Sequence, residues 1–259
     1  MKTRSKILTG NTRYIYLMVI SLLVICSCNP GGPGRNTARN EYGKIDSLLG
    51  AQSVVQAKTG IAVGIIRDNE IIYNKGFGYA NLATKDTVSA TTMFHLGSVP
   101  KSFVAVALMQ LVEQNKVNLD SLVIKYIPEL KFKDQRYKNI TVRHLASHTS
   151  GIYTNRSHNW DNPKSEDDAL DKFVRSLDFD ELRFSPGEKF SYSDLNYDII
   201  GDIIYRVTGI PFEDYMKRFV LEPSGMLKST FYLPDTNQVA RPYIDDSRIA
   251  IFHEDYFVL

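Results

Sequence analysis

Phe94-His95-Leu96-Gly97-Ser98-Val99-Pro100-Lys101-Ser102-Phe103 is a polar turn that opens onto the most apolar stretch outside the N-terminal leader, residues 103–112. That run predicts the start of a buried helix, because it is too apolar all round to lie on a surface. Ser98 and Lys101 are three residues apart, so in a helical first turn their side chains project from one face and can meet. A serine hydroxyl is a weak nucleophile until a neighbour takes its proton. A buried lysine can do this when desolvation lowers its pKa. Gly97 permits a sharp turn ahead of Ser98, and Pro100 suits a first turn whose amides have no intrahelical partner. Ser98 retains the N–H that an oxyanion site requires. The bland alternative is a serine that only caps a helix, because Ser-x-x-Lys spacing alone is common.

Downstream, Phe190-Ser191-Tyr192-Ser193-Asp194-Leu195-Asn196-Tyr197 leads into a second helix. Ile199, Ile200, Ile203, Ile204 and Val207 mark its buried stripe, and Gly209 closes it. Asp194 reads either as merely its N-cap or as a catalytic group as well, two compatible readings because the same turn would hold Tyr192 in place. A buried Tyr192 beside a lysine cation would be suited to shuttling a proton. Between the two clusters, residues 140–152 read as a capped short helix followed by a hydroxyl-rich turn. His144 and His148 are four apart there, but a metal site would want a third ligand or an intervening Glu, so both read as structural histidines. Residues 165–177 read as a capped amphipathic helix whose acids form a solvated face. Upstream, residues 41–57 read as a helix broken at Lys58-Thr59-Gly60, and residues 61–67 and 71–76 as a β-hairpin around Asp68-Asn69. Asn115 stands where a helix end wants a left-handed residue, and residues 119–130 form a short loop containing Ile127-Pro128.

The 259 residues, 43% of them hydrophobic, suffice for one sizeable domain or two intertwined subdomains and exclude a disordered chain. A net charge of +2 gives no argument for nucleic acid. Lys2, Arg4, Lys6 and Arg13 precede an apolar run over residues 14–25, shaped like a signal peptide and short for a membrane span. Ile25-Cys26-Ser27-Cys28 resembles a bacterial lipobox, which makes Cys28 the expected lipidation site and Cys26 the poorer candidate. An uncleaved anchor helix and ordinary cleavage are the rival readings. Residues 1–28 are therefore read as a lipoprotein signal peptide, residues 29–40 as a Gly- and Pro-rich tether, and residues 41–259 as the folded domain. Both cysteines lie in the leader, which leaves the domain no disulfide and no cysteine chemistry.

Taken together, these segments resemble the serine β-lactamase and penicillin-binding-protein superfamily, most closely the β-lactamase-related group of class C enzymes, D,D-carboxypeptidases and esterases. Asn74-Lys75-Gly76-Phe77-Gly78-Tyr79-Ala80-Asn81 looks like its second strand and exit, and residues 94–103 like its nucleophile motif. Residues 111–130 are similar to its helix end and Tyr-x-Pro loop, and residues 148–152 to its His-Thr-Ser-Gly turn. Tyr192-Ser193-Asp194 matches its Tyr-x-Asn motif, and residues 222–230 its Pro-x-Gly-Met segment. The resemblance implies an α+β, β-lactamase-like fold with an antiparallel sheet flanked by helices and a helical subdomain. It also implies acylation of Ser98, proton handling by Lys101 and Tyr192, and substrate binding by Asp194, with no cofactor and no metal.

Two departures qualify that implication. Asp194 stands where Asn is commoner, which keeps the carbonyl-type oxygen and loses the amide donor. The family's third motif, Lys or His followed by Thr or Ser and Gly, does not follow Tyr192; Lys58-Thr59-Gly60 has the letters but precedes the first strand. The chain therefore reads as incomplete at its C-terminus, without the family's final strands and helix. The expected function is a serine hydrolase acting on cell-wall peptide, β-lactam or ester substrates. The alternative is an inactive truncated fragment or a peptidoglycan-binding remnant. A Ser-His-Asp hydrolase lacks its Gly-x-Ser-x-Gly signature here. The expected setting is the bacterial cell envelope, with a monomer held to the membrane by its lipid.

Overall fold

The computed structural model describes residues 42–50, 60–153, 168–232, 239–241, 243–245 and 248–249. The expected leader, tether and Cys28 lie outside the described residues, as do Lys58 and Thr59. The chain divides into two compact units, residues 1–53 and 54–259. In the first, α1 (Gly43–Leu48) falls within the helix read over residues 41–57.

The second unit opens with the expected hairpin, β1 (Ile61–Arg67) and β2 (Glu70–Phe77), antiparallel with Ile61 opposite Phe77 and Arg67 opposite Glu70. Asp68 and Asn69 both have positive φ, 51° and 63°. That is the mirror-image turn whose twist matches paired strands, and Asp and Asn tolerate it because their short side chains bond locally. β3 (Tyr79–Asn81) pairs with β4 (Asp86–Thr87), and β5 (Tyr243–Asp245) pairs with β6 (Arg248–Ile249). Among the described residues the sheet is thus three separate antiparallel pairs.

The helical part holds the core. α2 (Lys101–Glu113) takes Lys101 into its first turn, and the turn at Ser98 feeds straight into it: the Lys101 N–H donates to the Ser98 carbonyl at 3.2 Å. Val104, Ala107, Leu108 and Leu111 form its buried stripe at helical spacing. Val106 and Met109 are half exposed, so α2 is open on one side and not enclosed as its composition suggested. It ends at Asn115, left-handed at φ 56° as expected. α3 (Val142–Ala146) is capped by Thr141, whose hydroxyl accepts the His144 N–H while His144 Nδ1 accepts the Thr141 N–H. His144 is therefore half of a capping box.

α4 (Ala169–Ser176) falls inside the helix read over residues 165–177, although Asp168 at its N-cap makes no side-chain capping bond. α5 (Leu195–Thr208) packs against α2, α3, α4 and α6 (Phe212–Met216). Ile199, Ile200, Ile203 and Ile204 are fully buried, each contributing roughly 1.5–3 kcal/mol through removal from water, while Val207 is only partly buried. Gly209 closes α5 at φ 68°. The acidic face of α4 is not merely solvated: Asp171 pairs with Arg175 at 2.8 Å and with Arg206 of α5. Arg206 also reaches Asp202 at 2.8 Å and Glu129 at 3.0 Å, tying α4, α5 and the preceding loop together. Helices and antiparallel strands in this arrangement agree with the α+β, β-lactamase-like class.

Candidate active site

Packing of α5 against α2 joins the two chemical clusters, which are 94 residues apart in sequence. Gly97 turns the chain at φ 56° just before Ser98, and Lys101 follows as the first residue of α2 with only 6% of its surface exposed. From the segment entering α5, Tyr192 brings its hydroxyl to 2.6 Å from Ser98 Oγ. Lys101 Nζ donates to Ser98 Oγ at 3.3 Å and pairs with Asp194 Oδ1 at 2.8 Å. The Tyr192 hydroxyl donates to that same Asp194 oxygen at 2.8 Å. Ser98, Lys101, Tyr192 and Asp194, all singled out in the sequence, therefore form one cluster.

The donor pattern fixes the direction of the short contact. The Tyr192 proton is directed at Asp194, so its oxygen accepts and the Ser98 hydroxyl donates. The Ser98 proton therefore points at the Tyr192 oxygen.

Three expectations need correction. Burial pulls the Lys101 ammonium down, but hydrogen bonds to Asp194 and Tyr192 and the charge of Asp194 outweigh it, so its pKa is raised above the usual lysine value. The desolvated, proton-accepting lysine expected from the apolar helix is thereby held protonated. Asp194 occupies the N-cap position of α5 yet makes no side-chain capping bond; its backbone is helical, φ −60° and ψ −39°, and its carboxylate serves Lys101 and Tyr192. Tyr192 is not buried: it is 44% exposed, with its ring 5.4 Å from Lys101 Nζ. Leu96, Val99 and Phe190, close to the cluster in sequence, are exposed.

Sequence reasoning missed the relation of His148 to this cluster. Its ring lies 4.6 Å from that of Tyr192, and its Nδ1 accepts the Ser193 N–H at 3.3 Å. Asn196 and Ser150, both fully buried, stand behind it. No spacing rule links residues so far apart in the chain; the His-Thr-Ser-Gly turn was the one available signal. Its Gly151 has φ 82°, and a Cβ there would lie 2.3 Å from the Phe184 carbonyl oxygen, so only glycine fits. Among the described residues, no three His, Cys, Asp or Glu side chains are grouped as a metal ion would need.

Ser98, Tyr192, Lys101 and Asp194 are thus held together on an α+β scaffold. Residues 45–248 match the family model described as Beta-lactamase, and the chain belongs to that family. It is 32% identical over 173 residues to protein flp of Staphylococcus aureus (strain COL), covering 66% of this chain and 34% of flp. It is 33% identical over 168 residues to penicillin-binding protein PbpX of Bacillus subtilis (strain 168), covering 65% of this chain and 40% of PbpX. The chain thus spans little more than a third of the length of these relatives. Among solved structures it resembles EstCE1, a hydrolase with promiscuous acyltransferase activity, with TM-score 0.66 and 26% identity over 80% of this chain and 58% of that one. It also resembles the octameric penicillin-binding protein homologue from Pyrococcus abyssi, with TM-score 0.63 and 29% identity over 83% of this chain and 50% of that one. The fold is shared too with FmtA from Staphylococcus aureus, with TM-score 0.65 and 24% identity over 86% of this chain and 61% of that one.

Proposed function

We propose that the chain is a serine hydrolase that forms an acyl-enzyme at Ser98 on ester or peptide-like substrates, β-lactams included. The 2.6 Å contact from Ser98 Oγ to the Tyr192 hydroxyl carries the reading. In the acylation step, Ser98 Oγ forms a bond to the substrate's acyl carbon while its proton passes to Tyr192 and the Tyr192 proton passes to Asp194. The negative charge of the Asp194 carboxylate thereby passes to the substrate's acyl oxygen, and the protonated Lys101, hydrogen-bonded to Ser98 Oγ, stabilises the charge on Oγ as its proton leaves. As the bond from the acyl carbon to the leaving oxygen or nitrogen breaks, that atom takes the proton back through Tyr192; water or another acceptor then bonds to the acyl carbon, the bond to Ser98 Oγ breaks, and Ser98 recovers a proton. The Ser98 N–H is the first candidate for the oxyanion donor.

Membership of the Beta-lactamase family and likeness to a hydrolase with acyltransferase activity support this chemistry. We place the chain at the cell envelope, anchored through lipid on Cys28, which lies outside the described residues. Release of the chain from the membrane fraction in Cys28→Ser tests the anchor. Steady-state hydrolysis of p-nitrophenyl acetate and of a chromogenic cephalosporin, compared with Ser98→Ala, tests the activity. Turnover that depends on Ser98 is expected, and equal turnover by Ser98→Ala would sink the reading.

A further inference from the structure

His148 stands behind the reacting cluster at the end of a hydrogen-bond chain, and its acceptor role is set by the Ser193 backbone N–H, which can only donate. The Ile152 backbone N–H can only donate, and it donates to Ser150 Oγ at 3.1 Å. Ser150 then donates to Asn196 Oδ1 at 2.6 Å. That pins the Asn196 amide with its nitrogen toward His148, 3.1 Å from Nδ1. The Ser193 N–H, between Tyr192 and Asp194 in the chain, also points at Nδ1, at 3.3 Å. Two donors thus converge on one ring nitrogen, which must be the unprotonated one. The ring itself packs between Tyr192 at 4.6 Å and Tyr197 at 5.3 Å, with Phe190 edge-on at 5.9 Å. The backbone at His148 is left-handed, φ 54°, a conformation maintained only where surrounding contacts impose it.

We propose that His148 is a positioning residue for Ser98 acylation: its neutral ring, accepting at Nδ1, holds the turn carrying Tyr192 and Asp194, and protonation of that ring releases the turn. The proposal rests on the acyl-enzyme reading above. A proton on Nδ1 would face the Ser193 N–H and the Asn196 amide nitrogen, setting three donors against one another with no acceptor. Turning the Asn196 amide over would relieve this at His148, but Ser150 would then lose the acceptor for its proton. The strain therefore falls on the Ser193 segment, and with it on the 2.6 Å and 2.8 Å contacts of the Tyr192 hydroxyl. The charged and titratable groups around the ring are Lys101 from α2, Asp194 and Tyr192 from the segment before α5, and Tyr197 from α5. On its own segment, His144 is engaged in capping α3. Burial and the Lys101 charge keep the imidazole below its usual value of 6.5, against the opposing pull of Asp194, so the neutral ring prevails at neutral pH.

The test has two arms, one independent of activity. In an NMR pH titration of the full chain, the Ser193 amide resonance is expected to shift with the same midpoint as the His148 ring, below pH 6.5. A Ser193 amide that ignores the His148 titration would overturn the proposal. In the second arm, acylation by p-nitrophenyl acetate is followed against pH. The acid limb of the parent should coincide with the His148 midpoint. In His148→Asn it should move down toward the carboxylate range, since Asn offers Oδ1 in the place of Nδ1, does not titrate, and tolerates positive φ. His148→Phe keeps a ring and loses the acceptor; its kcat/KM at neutral pH should fall about tenfold to a hundredfold, in kcat and not in KM. An acid limb left in place in His148→Asn would overturn the proposal. A parent chain that is never acylated would sink the acyl-enzyme reading instead, and the NMR arm would still decide the role of His148.

Discussion

Asp194 Oδ1 lies 2.8 Å from Lys101 Nζ and accepts the Tyr192 hydroxyl at 2.8 Å, so a single carboxylate oxygen serves the cation and the phenol of the cluster. A lysine buried alone sheds its proton; this one is held by its counter-charge. The group that faces Ser98 Oγ is consequently the Tyr192 oxygen, and in the mechanism proposed above it serves as the base, backed by Asp194, with Lys101 as a fixed positive charge.

Replacing that charge is the first prediction. Asp194→Asn keeps an oxygen acceptor and removes the negative charge, leaving burial to act on Lys101 against the Tyr192 contact alone. A folded-state pKa raised above 10.5 means that the stability contributed by Lys101 is complete below that value and is lost as pH rises through the folded one. In Asp194→Asn the folded-state value of Lys101 falls, so that alkaline loss of stability should shrink or disappear, and the alkaline limb of any remaining acylation should move to lower pH. Urea unfolding and acylation rates across alkaline pH measure the two. Limbs that stay where they are in the parent would count against the role given to Asp194.

The Asp194 case shows where sequence stops being informative. The clusters around Ser98 and Tyr192 carry their own local signals, and the apolar stripe of α5 predicts the burial that brings them together. An N-cap carboxylate and a carboxylate facing a lysine have the same local sequence, however, and only the packing of α5 against α2 separates them. His148 was hidden for the same reason: its partners Ser193 and Asn196 are 45 and 48 residues away. Its neutral tautomer follows from a donor chain that no periodicity records. The hairpin, by contrast, was legible to its turn residues, because Asp68-Asn69 encodes its geometry locally.

Asp202 gives a second prediction, on stability. Its carboxyl is fully buried in α5, with Oδ1 lacking a hydrogen-bond partner, and burial raises its pKa from 3.8 to about 6 despite Arg206. The folded chain therefore binds this proton more tightly than the unfolded chain, and the contribution of Asp202 to stability falls as pH rises from about 4 to about 6. Between about pH 4.5 and about pH 7 this amounts to roughly 2 kcal/mol. Asp202→Asn should remove that slope, leaving Arg206 with Asp171 and Glu129. Urea unfolding of both proteins at the two pH values measures it; parallel pH dependences would contradict the assignment.

Two glycines with positive φ should respond unequally to alanine. At Gly209, φ 68°, an added Cβ meets nothing within 4 Å, so Gly209→Ala should cost only about 1–2 kcal/mol of backbone strain. At Gly151, φ 82°, the same methyl would run into the Phe184 carbonyl at 2.3 Å. Gly151→Ala should cost more than about 2 kcal/mol and disturb the turn that carries His148. Denaturant midpoints at constant m-value measure both, and equal costs would contradict the packing described at Gly151.

The central claim is that Ser98 is a nucleophile activated through Tyr192. Intact-mass analysis of the purified chain during exposure to a fluorophosphonate tests it most directly, with Ser98→Ala and Tyr192→Phe alongside. The account predicts a single phosphonate adduct on the parent, none on Ser98→Ala, and labelling slowed about a hundredfold or more in Tyr192→Phe, where the proton acceptor is gone and the Lys101 contact remains. Labelling of Ser98→Ala at the parent's rate, or of Tyr192→Phe within about threefold of it, would contradict the account.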